Sequence, residues 1–217
     1  MKYKCLVFDH DDTVVNSTAT IHHPCFESYL ELMRPGMHCS LEDYFLKNFE
    51  PGFLEMCRQD YALTDEDLED EFKYWINYVK DHVPEVYPGI REIMEAQKAA
   101  DGLVCVVSHS YEPNILRDYA ENKLPQPDAV YGWGRPADER KPNPFPLEDI
   151  MRRFDLMPGE VLMIDDLKPG YDMALAAGTD FVAAGWANDI KPIEQFMREN
   201  CRLYFKKVKE LAAFLED

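Results

Sequence analysis

No apolar run in this 217-residue chain approaches the length that spans a bilayer; the longest clean ones, 5–8 and 103–107, are strand-sized. Basic residues are scarce, with 23 Lys+Arg against 41 Asp+Glu and a formal net charge of −18. A polyanion would be repelled before any groove could read it, which excludes nucleic acid as a partner. The six cysteines, at 5, 25, 39, 57, 105 and 201, include no C-x-x-C pair, so zinc ribbons and thioredoxin-like redox motifs drop out. Cys5 and Cys105 lie inside apolar runs and read as small buried hydrophobes. The opening MKYKCLVFDHDD reaches acidic residues too soon for a secretory signal, so no disulfide framework is expected. A cytoplasmic protein with no membrane partner is the expectation. Internal repeats and low-complexity segments are also missing. What is present is a hydrophobic fraction of 46%, enough to bury a real core and too much for a disordered acidic tail.

The order of segments predicts the architecture. Residues 4–8 form a short apolar run that ends abruptly in Asp9-His10-Asp11-Asp12, a buried strand delivering carboxylates at its tip. From 17 to 84 the pattern turns helical. Pro24 suits a first helical position, followed by Phe26, Tyr29, Leu30 and Met33 at helical spacing, and Pro35-Gly36 stops that helix. Ser40 reads as the N-cap of a short helix through Phe45, and Pro51-Gly52 breaks the chain again. Thr64 can cap the longest helix, with Asp65, Glu66 and Asp67 at its positive end. Its expected apolar face is Leu68, Phe72, Trp75, Ile76, Val79 and Val83, and the acidic run 65–71 reads as a solvated face. Beyond Pro84, helices predicted at 89–100, 114–121, 147–154, 172–177, 193–199 and 207–215 alternate with strands at 103–107, 129–131, 161–164, 181–184 and 203–205. Alternating strand and helix implies a doubly wound, Rossmann-like parallel sheet covered on both faces. The expected division is an α/β core of 1–16 and 85–217 with an inserted all-α domain at 17–84, placed over the carboxyl ends of the strands.

Four chain positions just past separate runs or turns carry polar residues. They are Asp9 with Asp11, Ser108, Lys141 in Lys-Pro-Asn-Pro, and Asp165-Asp166. Taken singly, each has a bland explanation, because Asp and Ser at strand ends cap helices and make turns. Together they point to a site. Asp9, Asp11 and Asp166 would gather negative charge in a small space, which is costly without a cation. Hard oxygen ligands with few protein contacts suit Mg²⁺, which keeps waters and takes phosphate oxygens. Lys141 adds a second positive charge. The Ser108 hydroxyl and the N–H groups that follow it can donate to a phosphoryl oxygen at a helix N-terminus. Two carboxylates at one tip permit divided labour between nucleophile and acid/base.

These motifs resemble the haloacid dehalogenase-like superfamily over the whole chain, with phosphoglycolate phosphatases and β-phosphoglucomutase as the kinds of member it is similar to. The Asp-x-Asp-x-Thr motif stands as Asp9-His10-Asp11-Asp12-Thr13, the second as Val106-Val107-Ser108, the third as Lys141-Pro142-Asn143-Pro144 and the fourth as Ile164-Asp165-Asp166. The resemblance implies a phosphatase in which Asp9 is the nucleophile forming an aspartyl-phosphate and Asp11 is the acid/base. Ser108, the His109 N–H and Lys141 would hold the phosphoryl group. Mg²⁺ would bind the Asp9 carboxylate, the Asp11 main-chain carbonyl and Asp166, with Asp165 behind them or acting through water. The inserted helices would be the family's cap, and the substrate a small phosphorylated metabolite. A monomer or homodimer is expected. Departures from the pattern are Asp12, where the family usually has Gly, and Asn16, where many members have Asp.

Rival readings use other features. A phosphomutase would use the same residues. A phosphonate hydrolase would need a cap lysine, with Lys47, Lys73 and Lys80 as candidates. A haloacid dehalogenase would have no use for Asp11 and Asp166, and a receiver domain orders its Lys after the last acids. A non-catalytic binding member is the remaining alternative. Within the insertion His22 and His23 are either substrate-facing or a surface pair at a helix start, and Arg34, Arg58, Lys73 and Lys80 are candidate anion contacts.

Overall fold

A computed structural model describes residues 1–216. In chain order β1 (Cys5–Phe8) and β2 (Val15–Asn16) come first. Four helices follow, α1 (His23–Met33), α2 (Leu41–Phe49), α3 (Phe53–Tyr61) and α4 (Asp65–Val79). Then come β3 (Glu85–Val86), α5 (Ile90–Ala99), β4 (Leu103–Val107), α6 (Glu112–Glu121), β5 (Ala129–Tyr131) and α7 (Phe145–Phe154). The chain closes with β6 (Val161–Asp165), α8 (Lys168–Ala177), β7 (Asp180–Ala184), α9 (Lys191–Asn200), β8 (Leu203–Phe205) and α10 (Val208–Glu216). Among the described residues no helix is long and apolar enough to cross a membrane. The chain divides into two units, Met1–Asn16 with everything from Glu85 on, and Ser17–Pro84.

The first unit is built on a six-stranded sheet in the order β5-β4-β1-β6-β7-β8, parallel throughout. Central β1 pairs with β4 on one side (Cys5 opposite Leu103) and with β6 on the other (Cys5 opposite Val161). Both faces are covered, so its residues are apolar at every position instead of alternating. Leu6, Phe8, Val104, Val106, Leu162 and Ile164 pack with α5, α6 and α10 through Ile90, Met94, Ile115, Tyr119 and Leu211. Cys5, Val7, Cys105, Val107 and Met163 pack on the opposite face with Leu147 and Ile150 of α7 and Met173 of α8. The chain runs outward from β1 through β4 to β5, then returns to the far side of β1 for β6. That reversal leaves a crevice beyond the carboxyl tips of β1, β4 and β6, where doubly wound sheets bind ligands. A short antiparallel pair, β2 with β3, has no counterpart in the sequence pattern: two residues are too few to show a period.

The helical unit has its own core of Phe26, Tyr29, Leu30, Tyr44, Met56, Cys57, Tyr61 and Leu68. Thr64 caps α4 as expected, with the Asp67 N–H donating to Thr64 Oγ1 (3.1 Å) and the Thr64 N–H to Asp67 Oδ2 (2.9 Å). Ser40 likewise caps α2, which runs on to Phe49, past the expected end at Phe45. Helix α3 was not expected; its Phe53, Met56, Cys57 and Tyr61 follow helical spacing directly after the Pro51-Gly52 break. The solvated-face reading of 65–71 is corrected at its last residue, because Glu71 is buried while Asp65, Glu66, Glu69 and Asp70 are exposed. Val83, expected on the apolar face, lies beyond the end of α4 and is exposed.

Burial pushes the Glu71 carboxyl up to about 7, with His22 pulling the other way. A raised carboxyl pKa stabilises the fold below the unfolded value, and that contribution is lost as pH rises through the folded value. Glu71→Gln is therefore expected to gain on the order of 2–3 kcal/mol over the parent at pH 8 and nothing below pH 4. Urea titrations at the two pH values check this; equal differences at both would show that charge burial is not the cause.

Candidate active site

The first acidic tip is shaped by a tight turn. The Asp9 N–H donates to the Ile164 carbonyl (2.8 Å), carrying the β1–β6 pairing one residue past the strand end. The chain then turns so that the Asp12 N–H reaches the Val15 carbonyl (2.7 Å) and the Val14 N–H the His10 carbonyl (2.9 Å). Asp12 sits at φ 59°, in the left-handed region. Glycine adopts that region freely and Asp is among the few others that tolerate it, which accounts for Asp at a position the resembled family usually fills with Gly.

Lys141 lies at the centre of the site. Its Nζ donates to Asp9 Oδ1 and to Asp165 Oδ2, both at 2.7 Å, and all three side chains are buried. The Lys141–Pro142 peptide is cis. Asp165 also accepts from the Leu167 N–H (2.8 Å). Asp166 accepts from Thr13 Oγ1 (3.2 Å), and the Thr13 carbonyl in turn accepts from Trp186 Nε1 (3.1 Å). Carboxylate oxygens of Asp9, Asp165 and Asp166 all lie within 4.8 Å of one another, the only such group of metal-binding side chains among the described residues. Asp165, expected behind the other acids or acting through water, meets Lys141 directly. It fits there because residue 170 is glycine: a Cβ at that position would come within 2.0 Å of Asp165 Oδ2.

Asp11 turns to the second strand. Ser110 Oγ donates to Asp11 Oδ2 (2.5 Å), and the Ser110 N–H donates to Ser108 Oγ (3.1 Å). Ser108 is buried at the tip of β4, its N–H given to the Tyr131 carbonyl of β5 (2.9 Å), which leaves its hydroxyl able to donate. His109 gives its Nε2–H to the Lys141 carbonyl (2.8 Å) and stands edge-on to Trp133. Burial, reinforced by the Lys141 ammonium, lowers His109 to about 3, so the ring is neutral. Thr13 was named only as the closing residue of the first motif, and Ser110 and Gly170 were not among the residues singled out from sequence.

The electrostatics follow from one cation among three buried carboxylates. Burial pushes Asp9 up to about 7 against the pull of Lys141. Asp165 is raised by burial, and Asp166 is raised well above the carboxylate range by burial and by Asp165, Asp12 and Asp9. Burial works against the Lys141 ammonium, yet Asp165 and Asp9 overcome it and hold its pKa above the ordinary lysine value. A buried acidic cluster so short of positive charge, and rich in hard oxygen donors, could bind a metal ion.

A model of the haloacid dehalogenase-like hydrolase family matches residues 6–184. The chain belongs to the haloacid dehalogenase-like hydrolase family. No curated protein matches this member. Among solved structures, a protein described as a haloacid dehalogenase-like hydrolase from Bacteroides fragilis superposes with a TM-score of 0.80 at 22% identity, covering 97% of this chain and 100% of its own. A predicted phosphoglycolate phosphatase from Haemophilus somnus 129pt gives 0.75 at 21% identity over 99% and 98% of the two chains. A protein from Lactobacillus plantarum with the same phosphatase name gives 0.77 at 19% identity, over 98% and 99%. Identities this low establish the shared fold.

This hydrolase's other sequence candidates lie in the helical unit, each with a local partner. Arg34 bonds Asp67 and the carbonyls of Met33 and Ala62, Arg58 bonds Glu55 and Asp65, and Lys47 bonds Asp60. Lys73 pairs with Asp70 and Lys80 with Asn77. His22 Nδ1 accepts from Trp75 Nε1 (3.0 Å), and His23 Nε2 donates to the Cys39 carbonyl (2.7 Å).

Proposed function

We propose that this chain is a Mg²⁺-dependent phosphatase that hydrolyses a small phosphorylated metabolite through an aspartyl-phosphate on Asp9. The observation that carries the reading is the Lys141 ammonium bridging Asp9 and Asp165 beside Asp166. An Asp9 oxygen attacks phosphorus as the ester P–O bond breaks, and Asp11 gives its proton to the leaving alkoxide. Asp11, held by Ser110, then takes a proton from water, whose oxygen attacks phosphorus. Inorganic phosphate leaves and the Asp9 carboxylate returns. Ser108 and the N–H of His109 hold the phosphoryl oxygens, and Lys141 offsets the charge building on them and on Asp9. Asp9, Asp166 and the Asp11 carbonyl would hold Mg²⁺, with Asp165 kept on Lys141. When bound, Mg²⁺ supplies Lewis-acid stabilisation of phosphoryl oxygens and the counter-charge the three carboxylates need. The reading assigns the chemistry to 1–16 and 85–217, and substrate selection to the helical segment 17–84 acting as a cap. A cytoplasmic site of action and a monomer or homodimer complete it.

The test is phosphate release from sugar phosphates, phosphoglycolate, nucleotides and phosphonates, with Mg²⁺ or with a chelator. Release is expected only with Mg²⁺, and Asp166→Asn should raise the Mg²⁺ needed for half-maximal rate by at least about 10-fold. Turnover that survives chelation, or an Asp166→Asn protein with the parent's Mg²⁺ dependence, removes the metal from the reading. Phosphoryl transfer to a second hydroxyl of the substrate, with no free phosphate, replaces phosphatase by mutase.

A further inference from the structure

His10 stands between the two acids of the first motif, and its side chain leaves them. Leu6 and Phe8 face the sheet side covered by α6, and His10 continues that alternation. It is buried (1% exposed), and its ring lies against Tyr119 of α6, centroids 5.9 Å apart. His10 Nε2 donates to Asp118 Oδ2 at 3.0 Å. The other Asp118 oxygen accepts from Arg117 Nε (2.9 Å) and Nη2 (2.7 Å). Asp118 is itself buried, on the α6 face that carries Ile115 and Tyr119.

We propose that His10, Asp118 and Arg117 form a buried clamp that positions the Asp9–Asp11 loop for phosphoryl chemistry. The inference rests on the function proposed above and deepens it. Two grips fasten the loop to one helix: Asp11 through Ser110, just ahead of α6, and His10 through Asp118, two turns along it. The His10 carbonyl fixes the same loop from within, accepting from the N–H groups of Val14 (2.9 Å) and Val15 (3.1 Å). The nucleophile is then braced on both sides, by Lys141 at its carboxylate and by His10 at the next residue.

Stability alone does not explain a histidine here. His10 Nδ1 and the Tyr119 hydroxyl are both buried without a hydrogen-bond partner, a cost that an apolar residue at position 10 avoids. Removing one partner of a buried pair is destabilising, whereas replacing both by apolar groups is often neutral. That asymmetry separates positioning from packing. His10 and Asp118 are positioning residues, acting through the loop.

The experiment compares the parent with His10→Leu/Asp118→Leu and with His10→Gln. Three quantities are read: kcat and KM on p-nitrophenyl phosphate with Mg²⁺, thermal midpoint, and amide exchange over residues 9–14. The double variant should melt close to the parent, lose about 10- to 100-fold in kcat with little change in KM, and exchange faster only in 9–14. His10→Gln restores an N–H within reach of Asp118 and should recover most of the kcat. If the double variant does not fold, Asp118→Asn must show the same loss confined to kcat. The clamp is refuted by an unchanged kcat, by a kcat that falls only in step with melting, by unaltered exchange, or by Gln behaving as Leu does. A parent that hydrolyses no phosphate ester refutes the phosphatase reading instead, and exchange over 9–14 then decides the clamp alone.

Discussion

Asp9→Asn is expected to lower phosphate release by at least about 10⁴-fold while the protein stays folded. The amide has no lone pair basic enough to attack phosphorus, and no other buried carboxylate can substitute without losing its own contact. Asp165 is engaged by Lys141 and the Leu167 N–H, and Asp166 by Thr13. The fold should tolerate the change because the amide oxygen can still accept from Lys141 Nζ. It should even benefit at neutral pH. Burial holds Asp9 at about 7 against an ordinary value of 3.8. A raised carboxyl pKa contributes stability below the unfolded value and loses it as pH rises through the folded one, so the parent gives up part of its stability between pH 4 and pH 7. The asparagine variant carries no such penalty, and the melting difference in its favour should grow across that window. Rapid-quench phosphate release and melting curves at several pH values test both halves. Parent-rate release by this variant would remove Asp9 as the nucleophile. A melting difference independent of pH would remove the buried charge as the cause.

Much of the fold was legible because a doubly wound sheet buries both strand faces. Runs such as Cys5–Phe8 and Leu103–Val107 therefore show no alternation, and the helices between them keep their spacing. The members of the candidate site were legible wherever a polar residue stands directly past such a run. Asp9, Ser108, Asp165 and Asp166 do, and the structure gathers them with Lys141 and, through Ser110, with Asp11. Pairings between distant positions left no local trace. Ser110 reaches Asp11 across 99 residues and His10 reaches Asp118 across 108, and neither partner carries a pattern that names the other. The contact of Asp165 with Lys141 left no trace either, because room for that carboxylate is set by Gly170, which admits it only by lacking a Cβ. Glu71 was different, since the signal was present. Positions 68, 71, 75 and 79 fall on one helical stripe, but six neighbouring residues from Asp65 to Asp70 include five acids, and composition overrode spacing.

Lys141→Met is expected to cost about 3–5 kcal/mol at neutral pH and to lower turnover by about 10²- to 10³-fold. Methionine matches the lysine stem in length, so the packing of the loop is kept and only the charge is withdrawn. What remains is Asp9 and Asp165, buried to 3% and 0% side-chain exposure, with no ammonium between them. Deprived of that partner, both carboxyls rise further above their ordinary range, and the sign of the linkage follows. The loss deepens as pH rises and shrinks toward acid, where both groups take up protons. A loss due to the missing stem would be flat in pH, so denaturant titrations across pH 5 to pH 8 separate the two causes. Adding Asp165→Asn to the methionine variant should recover part of the stability by removing one stranded charge. It should recover none of the turnover, because the charge that builds on the phosphoryl oxygens and Asp9 still lacks its counter-ion. A methionine variant as stable as the parent at pH 8 would mean that the three carboxyls are already neutral without Lys141. The charge-deficient site from which both the metal and the mechanism were argued would then be absent.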